Sequence, residues 1–148
     1  IVNFITINNK VYKTGIKWEC VEYARRWLII NKKLTFDDID YAVDMFYKIK
    51  FRNLDSKIIK HSAINKNIIN KKNIEKIKVG DLLIYSTELF PTTGHVSVIV
   101  DINYANGVLY IAEQNNKSNT WIANNYSFKV QINDKLDIPG LLGILSVH

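Results

Sequence analysis

One cysteine occurs in these 148 residues, with two prolines and a single methionine. A lone cysteine rules out an internal disulfide. It makes a reducing compartment, and hence a cytoplasmic location, the expectation. No run of about 18 apolar residues exists, so no membrane-spanning helix is expected. A charged start followed by an apolar run and a small-residue site is also missing, which predicts no signal peptide. The sequence lacks zinc-ligand spacing, a P-loop and a Gly-x-Gly-x-x-Gly turn, so no metal and no cofactor is expected. Aromatics are missing between Phe51 and Tyr85, and acids are scarce in the same region.

That scarcity locates the charge. The net charge is +6, but residues 48–78 hold ten Lys/Arg and two acids, while the rest of the chain sums to −2. The basic excess belongs to one segment. A nucleic-acid surface needs aromatic stacking platforms among its basic groups. This segment has none after Phe51, so it reads as a solvated loop, and a nucleic-acid partner is not expected. At 47% hydrophobic and 23% charged residues, the chain has the balance of one globular domain over 1–148.

What is present is organised around Gly15-Ile16-Lys17-Trp18-Glu19-Cys20-Val21-Glu22-Tyr23-Ala24-Arg25-Arg26-Trp27. It reads as a loop entering a helix over about 19–31, with the thiol at the helix start. Unpaired N–H groups and the helix dipole favour a thiolate there, and they can stabilise an oxyanion on a carbonyl under attack. Tyr23, Ala24 and Trp27 follow Cys20 at i+3, i+4 and i+7, a stripe suited to packing on a sheet. Against this stands the ordinary behaviour of free cysteine, which mostly packs as a small hydrophobe. The residues that accompany it decide between the two.

Ile1 to Tyr12 alternates weakly and predicts a short strand, with a turn at Asn8-Asn9. Thr35-Phe36-Asp37-Asp38 has the form of a helix entry. Ile39, Ala42, Val43, Phe46 and Tyr47 then recur at helical spacing, predicting a second helix to about residue 49. Asp37, Asp38, Asp40 and Asp44 read as its cap and solvent face. Residues 52–78 predict a long loop with at most a short helical or strand piece; His61 within it has no partner at metal-ligand spacing. From Val79 the period becomes two, with strands predicted over 81–85, 95–102, 108–112, 127–132 and 142–147. Strict alternation puts His95, Ser97, Ile99 and Asp101 on one face. Helices followed by antiparallel strands define an α+β fold.

His95 opens its strand directly after Gly94, and Glu113 closes the next one. An acid bonded to one imidazole nitrogen fixes the ring's tautomer, and Cys, His and such an acid suit thiol acyl transfer. Register tests the idea. A two-residue turn at Asn106-Gly107 would pair positions summing to 213, setting Glu113 opposite Val100, about 17 Å along the strand from His95. Facing His95 requires a sum of 208. A wider loop over about 103–107 is therefore expected, against the usual preference of Asn-Gly.

Lys17-Trp18-Glu19-Cys20-Val21-Glu22-Tyr23-Ala24-Arg25-Arg26-Trp27-Leu28, Thr93-Gly94-His95-Val96 and Ile111-Ala112-Glu113-Gln114-Asn115 occur in this order. Together they resemble the CHAP domain (cysteine, histidine-dependent amidohydrolase/peptidase), within it most nearly the amidase domains of the glutathionylspermidine and trypanothione synthetases. The likeness runs from about Gly15 onward. It implies a papain-like fold of the NlpC/P60 kind, with N-terminal helices on an antiparallel sheet, and hydrolysis of an amide bond. It implies Cys20 as nucleophile, His95 as general base and acid, and Glu113 as the residue orienting His95. Arg25 and Asn115 match positions near the substrate. The substrate implied is a glutathione–polyamine conjugate or a related peptide amide, and an ATP-dependent synthetase domain is an implied fusion or partner. A peptidoglycan amidase or endopeptidase and an inactive binding module stand as alternatives. Glu19 departs from the pattern, since CHAP domains usually carry Gln there. A carboxylate beside a thiolate would oppose it.

Overall fold

The computed structural model describes residues 1–16, 19–114 and 125–147. The chain opens with a hairpin, β1 (Val2–Ile7) and β2 (Lys10–Ile16). Ile7 pairs with Lys10 across Asn8 and Asn9, which take φ of 50° and 66°. Positive φ at both central residues is what a tight hairpin turn needs, and Asn tolerates it. The expected turn is there, and the strand expected over 1–12 is a two-stranded ribbon. Helix α1 (Cys20–Lys32) follows, ending at Lys33 in the left-handed region. Ala24 and Leu28 pack it on the sheet, and Ile29 is buried as well. Ala24 shares a cluster with Val96 and Val98, which its short side chain lets the helix approach.

The second helix expected from Thr35 onward does not form as predicted. Leu34–Phe36 is a strand, β3; only Ala42–Asp44 (a 3-10 turn) and Met45–Lys48 (α2) are helical. Tertiary contacts override the local pattern. The guanidinium of Arg25 takes the carbonyls of Phe36 and Asp37, the acceptors that a helix beginning there would use itself. Phe36 pairs with Phe51, and their buried rings meet edge-on at 5.9 Å. Asp37 does not cap; it forms an ion pair with Arg52 at 2.7 Å. Of the expected apolar stripe only Ala42 is fully buried; Ile39, Val43 and Phe46 are partly covered and Tyr47 is exposed, while Met45 and Ile49 enter the core in their place.

Residues 52–78 are more ordered than the loop expected there. β4 (Phe51–Asn53) pairs with β3 and with β5 (Ile58–Ile59), and β6 (His61–Asn65) pairs along the last strand of the chain. Two 3-10 turns then lead to buried Ile69, Ile74 and Ile77. Three well-spaced anchors suffice to fix a basic, weakly periodic stretch whose lysines stay in solvent.

The main sheet adds β7 (Leu82–Tyr85), β8 (His95–Asn103), β9 (Val108–Ala112), β10 (Phe128–Gln131) and β11 (Leu141–Val147). Its order is β10-β9-β8-β7-β11-β6, antiparallel throughout. One face packs on α1. The other is covered by Ile69, Ile74, Ile77, Ile132, Leu136 and Ile138. The arrangement is α+β and consistent with a papain-like fold. No described helix is long and apolar enough to cross a membrane.

The alternation expected along β8 breaks once. A bulge at Val100 shifts the pairing, so Asp101 is exposed while Ile102 packs into the cluster that holds Ile99. The β8–β9 connection is the four-residue loop 104–107, wider than an Asn-Gly turn as expected, but it sets pairs summing to 211 and not to 208.

Candidate active site

The first residue of α1, the first residue of β8 and the residue after β9 converge. Cys20 is half-buried at the helix start, where Glu19 takes the N-cap position with extended backbone and no side-chain cap. His95 is held at the strand start by pairing with Tyr85. Gly94 before it has φ 67°, and a Cβ there would lie 2.6 Å from the Tyr85 carbonyl oxygen, so only glycine lets the chain enter β8 this closely.

Glu113 reaches His95 in a way the register argument did not foresee. Pairs in β8–β9 sum to 211 near the loop and to 210 beyond the bulge, not to 208. Continued by one pair, that register sets Glu113 level with Ser97, on the same face as His95 and diagonal to it. Diagonal neighbours are within reach of a long side chain. The result is a hydrogen bond of 2.7 Å between His95 Nε2 and Glu113 Oε2. Both residues are buried, 1% and 2% exposed. Cys20 adjoins His95 as well and acts on the charge of its ring. With Nε2 committed to Glu113, Nδ1 is the nitrogen left for sulfur.

Burial alone would lower the His95 pKa. The hydrogen bonds and negative charge of Cys20 and Glu113 outweigh it and push His95 up to about 9. The ring is therefore imidazolium at neutral pH. The Tyr85 hydroxyl moves up, first through burial and then through the Glu113 charge; it stays neutral and hydrogen-bonds Ser97 Oγ at 3.0 Å.

A cleft of about 1210 Å³ opens over these groups. Cys20, His95 and Glu113 contribute to its lining, together with the acids Glu19, Asp38 and Asp40 and the apolar Leu89 and Pro91. Its volume exceeds the range of about 300–1,000 Å³ usual for small-ligand sites, so an extended molecule fits.

Arg25 borders this cleft, but its hydrogen bonds point into the protein. It donates from Nε to Phe36 O (3.2 Å), from Nη1 to Thr14 O (2.7 Å), and from Nη2 to Asp37 O (3.1 Å) and Asp38 Oδ1 (3.5 Å). Its guanidinium also lies over the Phe36 ring. It ties β2 and the segment after β3 to the helix carrying Cys20. Asn115 lies outside the described residues.

Two features were not anticipated. Phe90 stacks on His95, with ring centroids 4.5 Å apart and planes 14° from parallel. No spacing in the sequence signals a contact made from within a loop. Buried Glu22 accepts from Arg26 Nε at 3.1 Å and from Asn3 Nδ2, while Arg26 Nη2 donates to Gln114 Oε1 at 3.0 Å. The Glu22–Arg26 spacing of four was a readable signal; the onward bond to the residue after Glu113 was not.

Comparison with known proteins places the chain in a family. The CHAP domain family model matches residues 11–115. The chain is 30% identical over 134 residues to a trypanothione synthetase of Crithidia fasciculata, covering 88% of this chain and 19% of that protein. It is 32% identical over 107 residues to a bifunctional glutathionylspermidine synthetase/amidase of Escherichia coli, covering 68% of this chain and 16% of that one. An enzyme of the same description from Shigella flexneri matches equally. The chain thus spans less than a fifth of the length of these relatives. With the family model spanning the thiol, the imidazole and the carboxylate alike, this chain belongs to the CHAP domain family.

Proposed function

We propose that the protein is a cysteine amidase whose nucleophile is Cys20. The observation that carries this reading is His95 held between Cys20 and a buried carboxylate, with all three opening on one cleft. Cys20 Sγ attacks the amide carbonyl and forms a C–S bond. The N–H groups at the start of α1, that of Cys20 included, face the developing oxyanion. His95 passes its proton to the nitrogen as the C–N bond breaks, and the amine leaves. Water then attacks the thioester, His95 takes a water proton, and the C–S bond breaks to return the thiolate. Glu113 keeps the ring oriented through both halves.

The substrate we propose is a glutathione–polyamine conjugate of the glutathionylspermidine type, or a related peptide amide. The names of the relatives support it, as do Glu19 and Asp40 along the cleft, which suit a cationic amine. Glu19 then serves the leaving amine, where Gln in other CHAP domains would serve the oxyanion. Arg25 shapes the wall next to the substrate by holding Asp38, and Asn115 is taken as a substrate-binding residue on the resemblance alone. The length of the relatives supports a synthetase domain as fusion or partner.

The test is amine release from glutathionylspermidine by the wild type and by Cys20→Ala. Turnover by the first alone is expected. A folded wild type that turns over neither this conjugate nor a peptidoglycan peptide, and whose thiol resists iodoacetamide at neutral pH, would refute the amidase reading in favour of a binding module.

A further inference from the structure

We infer that Phe90 is a positioning residue, an aromatic cover that keeps water from the His95–Glu113 hydrogen bond and holds the imidazole in the plane that serves Cys20 and Glu113 together. The inference rests on the amidase reading for its catalytic half only.

The observations are geometric. His95 must point one nitrogen at sulfur and the other at Glu113, so a small rotation of the ring out of plane breaks both contacts. Phe90 lies face-on against it at 4.5 Å and 14°, the separation of rings in van der Waals contact. Tyr85 closes a second side, its centroid 5.3 Å from His95 and 5.6 Å from Phe90. The imidazole is thus boxed by two aromatics and its hydrogen bond to Glu113, with Cys20 beside it. Phe90 packs on the sheet's second core cluster, yet it also lines the cleft. It stands between the substrate's solvent and the buried pair.

The ring is delivered by a connection that is firmly tied down. Ser86 N–H donates to Gly140 O at 2.7 Å, Gly94 N–H to Phe90 O at 2.9 Å, and Val43 N–H to Thr93 O at 2.9 Å. Leu89 packs against Gly140, where even a methyl group would meet it at 3.2 Å. A loop bonded at both ends and in the middle presents the ring in one place. Water kept off the imidazole leaves the local dielectric low, which strengthens the bond to Glu113. A π face against an imidazolium adds attraction of its own.

The test compares Phe90→Ala, Phe90→Leu and Phe90→Trp with the wild type. The first readout is the proton NMR signal of the His95 Nε2–H in the free protein. Such a signal is visible far downfield only while exchange with water is slow. The second is kcat and KM for amine release. Phe90→Ala is expected to lose the signal and to lower kcat about 10- to 100-fold, the scale of a misplaced catalytic group, with KM within about twofold. Phe90→Leu, which keeps apolar bulk without a flat face, is expected to fall between. Phe90→Trp is expected to restore both readouts. A wild type without the signal, or a Phe90→Leu variant that keeps both signal and kcat, overturns the inference. Absence of turnover by the wild type would count against the amidase reading alone, since the NMR signal needs no substrate.

Discussion

Replacing Glu113 by Gln tests what the buried carboxylate contributes, because Gln keeps the size and an acceptor oxygen and removes only the charge. The His95 pKa of about 9 lies some 2.5 units above its ordinary 6.5, equivalent to about 3 kcal/mol favouring the imidazolium. That preference survives burial and is shared between Cys20 and Glu113. Taking away the Glu113 share should lower the imidazole pKa by at least about one unit. The alkaline limb of the kcat/KM profile, expected near pH 9 in the wild type, should move toward neutrality by the same amount. Stability carries a second signature. A histidine whose pKa is higher folded than unfolded stabilises fully below about pH 6.5, and the effect is lost as pH rises through about 9. The wild type should therefore exceed Glu113→Gln in stability most clearly below pH 6.5. The gap should close above pH 9, where a buried carboxylate faces a neutral ring. Urea unfolding between pH 6 and 10, run beside the rate profile, measures both. An unmoved alkaline limb together with a pH-independent stability difference would show that Glu113 does not hold the charge on His95.

Two further outcomes are expected. Burial raises the Asp81 pKa to about 6, against hydrogen bonds from Lys78 N–H and Ser146 that lower it. A carboxylate with a raised folded pKa favours the fold below about pH 4 and loses that contribution as pH rises through 6. Asp81→Asn should flatten this decline and gain about 1–2 kcal/mol over the wild type at pH 7, read from urea midpoints; a parallel pH profile would contradict it. Arg25→Met removes the donors to three backbone carbonyls and should destabilise by about 3–5 kcal/mol, with Arg25→Lys recovering only part, as an ammonium lacks the planar fork. Equal midpoints for the Lys variant and the wild type would count against the clamp.

The candidate site was more legible than the frame that carries it. Cys20 and His95 each start an element as expected, His95 after the Gly94 break; Thr14-Gly15, expected to break the chain before the helix, instead lies inside β2, where Gly15 pairs with Asn3. Strands 7, 8, 9 and 11 show their period over four or more residues, and all formed within a residue or two of expectation. Residues 35–49 failed for a reason that lies 11 to 15 positions away. Their spacing is helical, but Arg25 and Phe51 compete for the same backbone and side chains and win. The 52–78 stretch failed because β6 borrows its order from β11, which arrives some 80 residues later. The approach of Glu113 to His95 was expected, yet by direct opposition. The bulge at Val100 and a diagonal reach achieve it instead, and no one-dimensional register contains either.

The position of β11 bears on the order in which the molecule comes into being. This strand, following every other in the described chain, enters the sheet between β7 and β6, pairing with both. During synthesis the cysteine emerges early and the imidazole 75 residues after it. The sheet that brings them together stays open until residues 141–147 are released. Until then β6 has no strand to pair with, so the edge of the sheet next to β7 is the last part of the described fold to be completed.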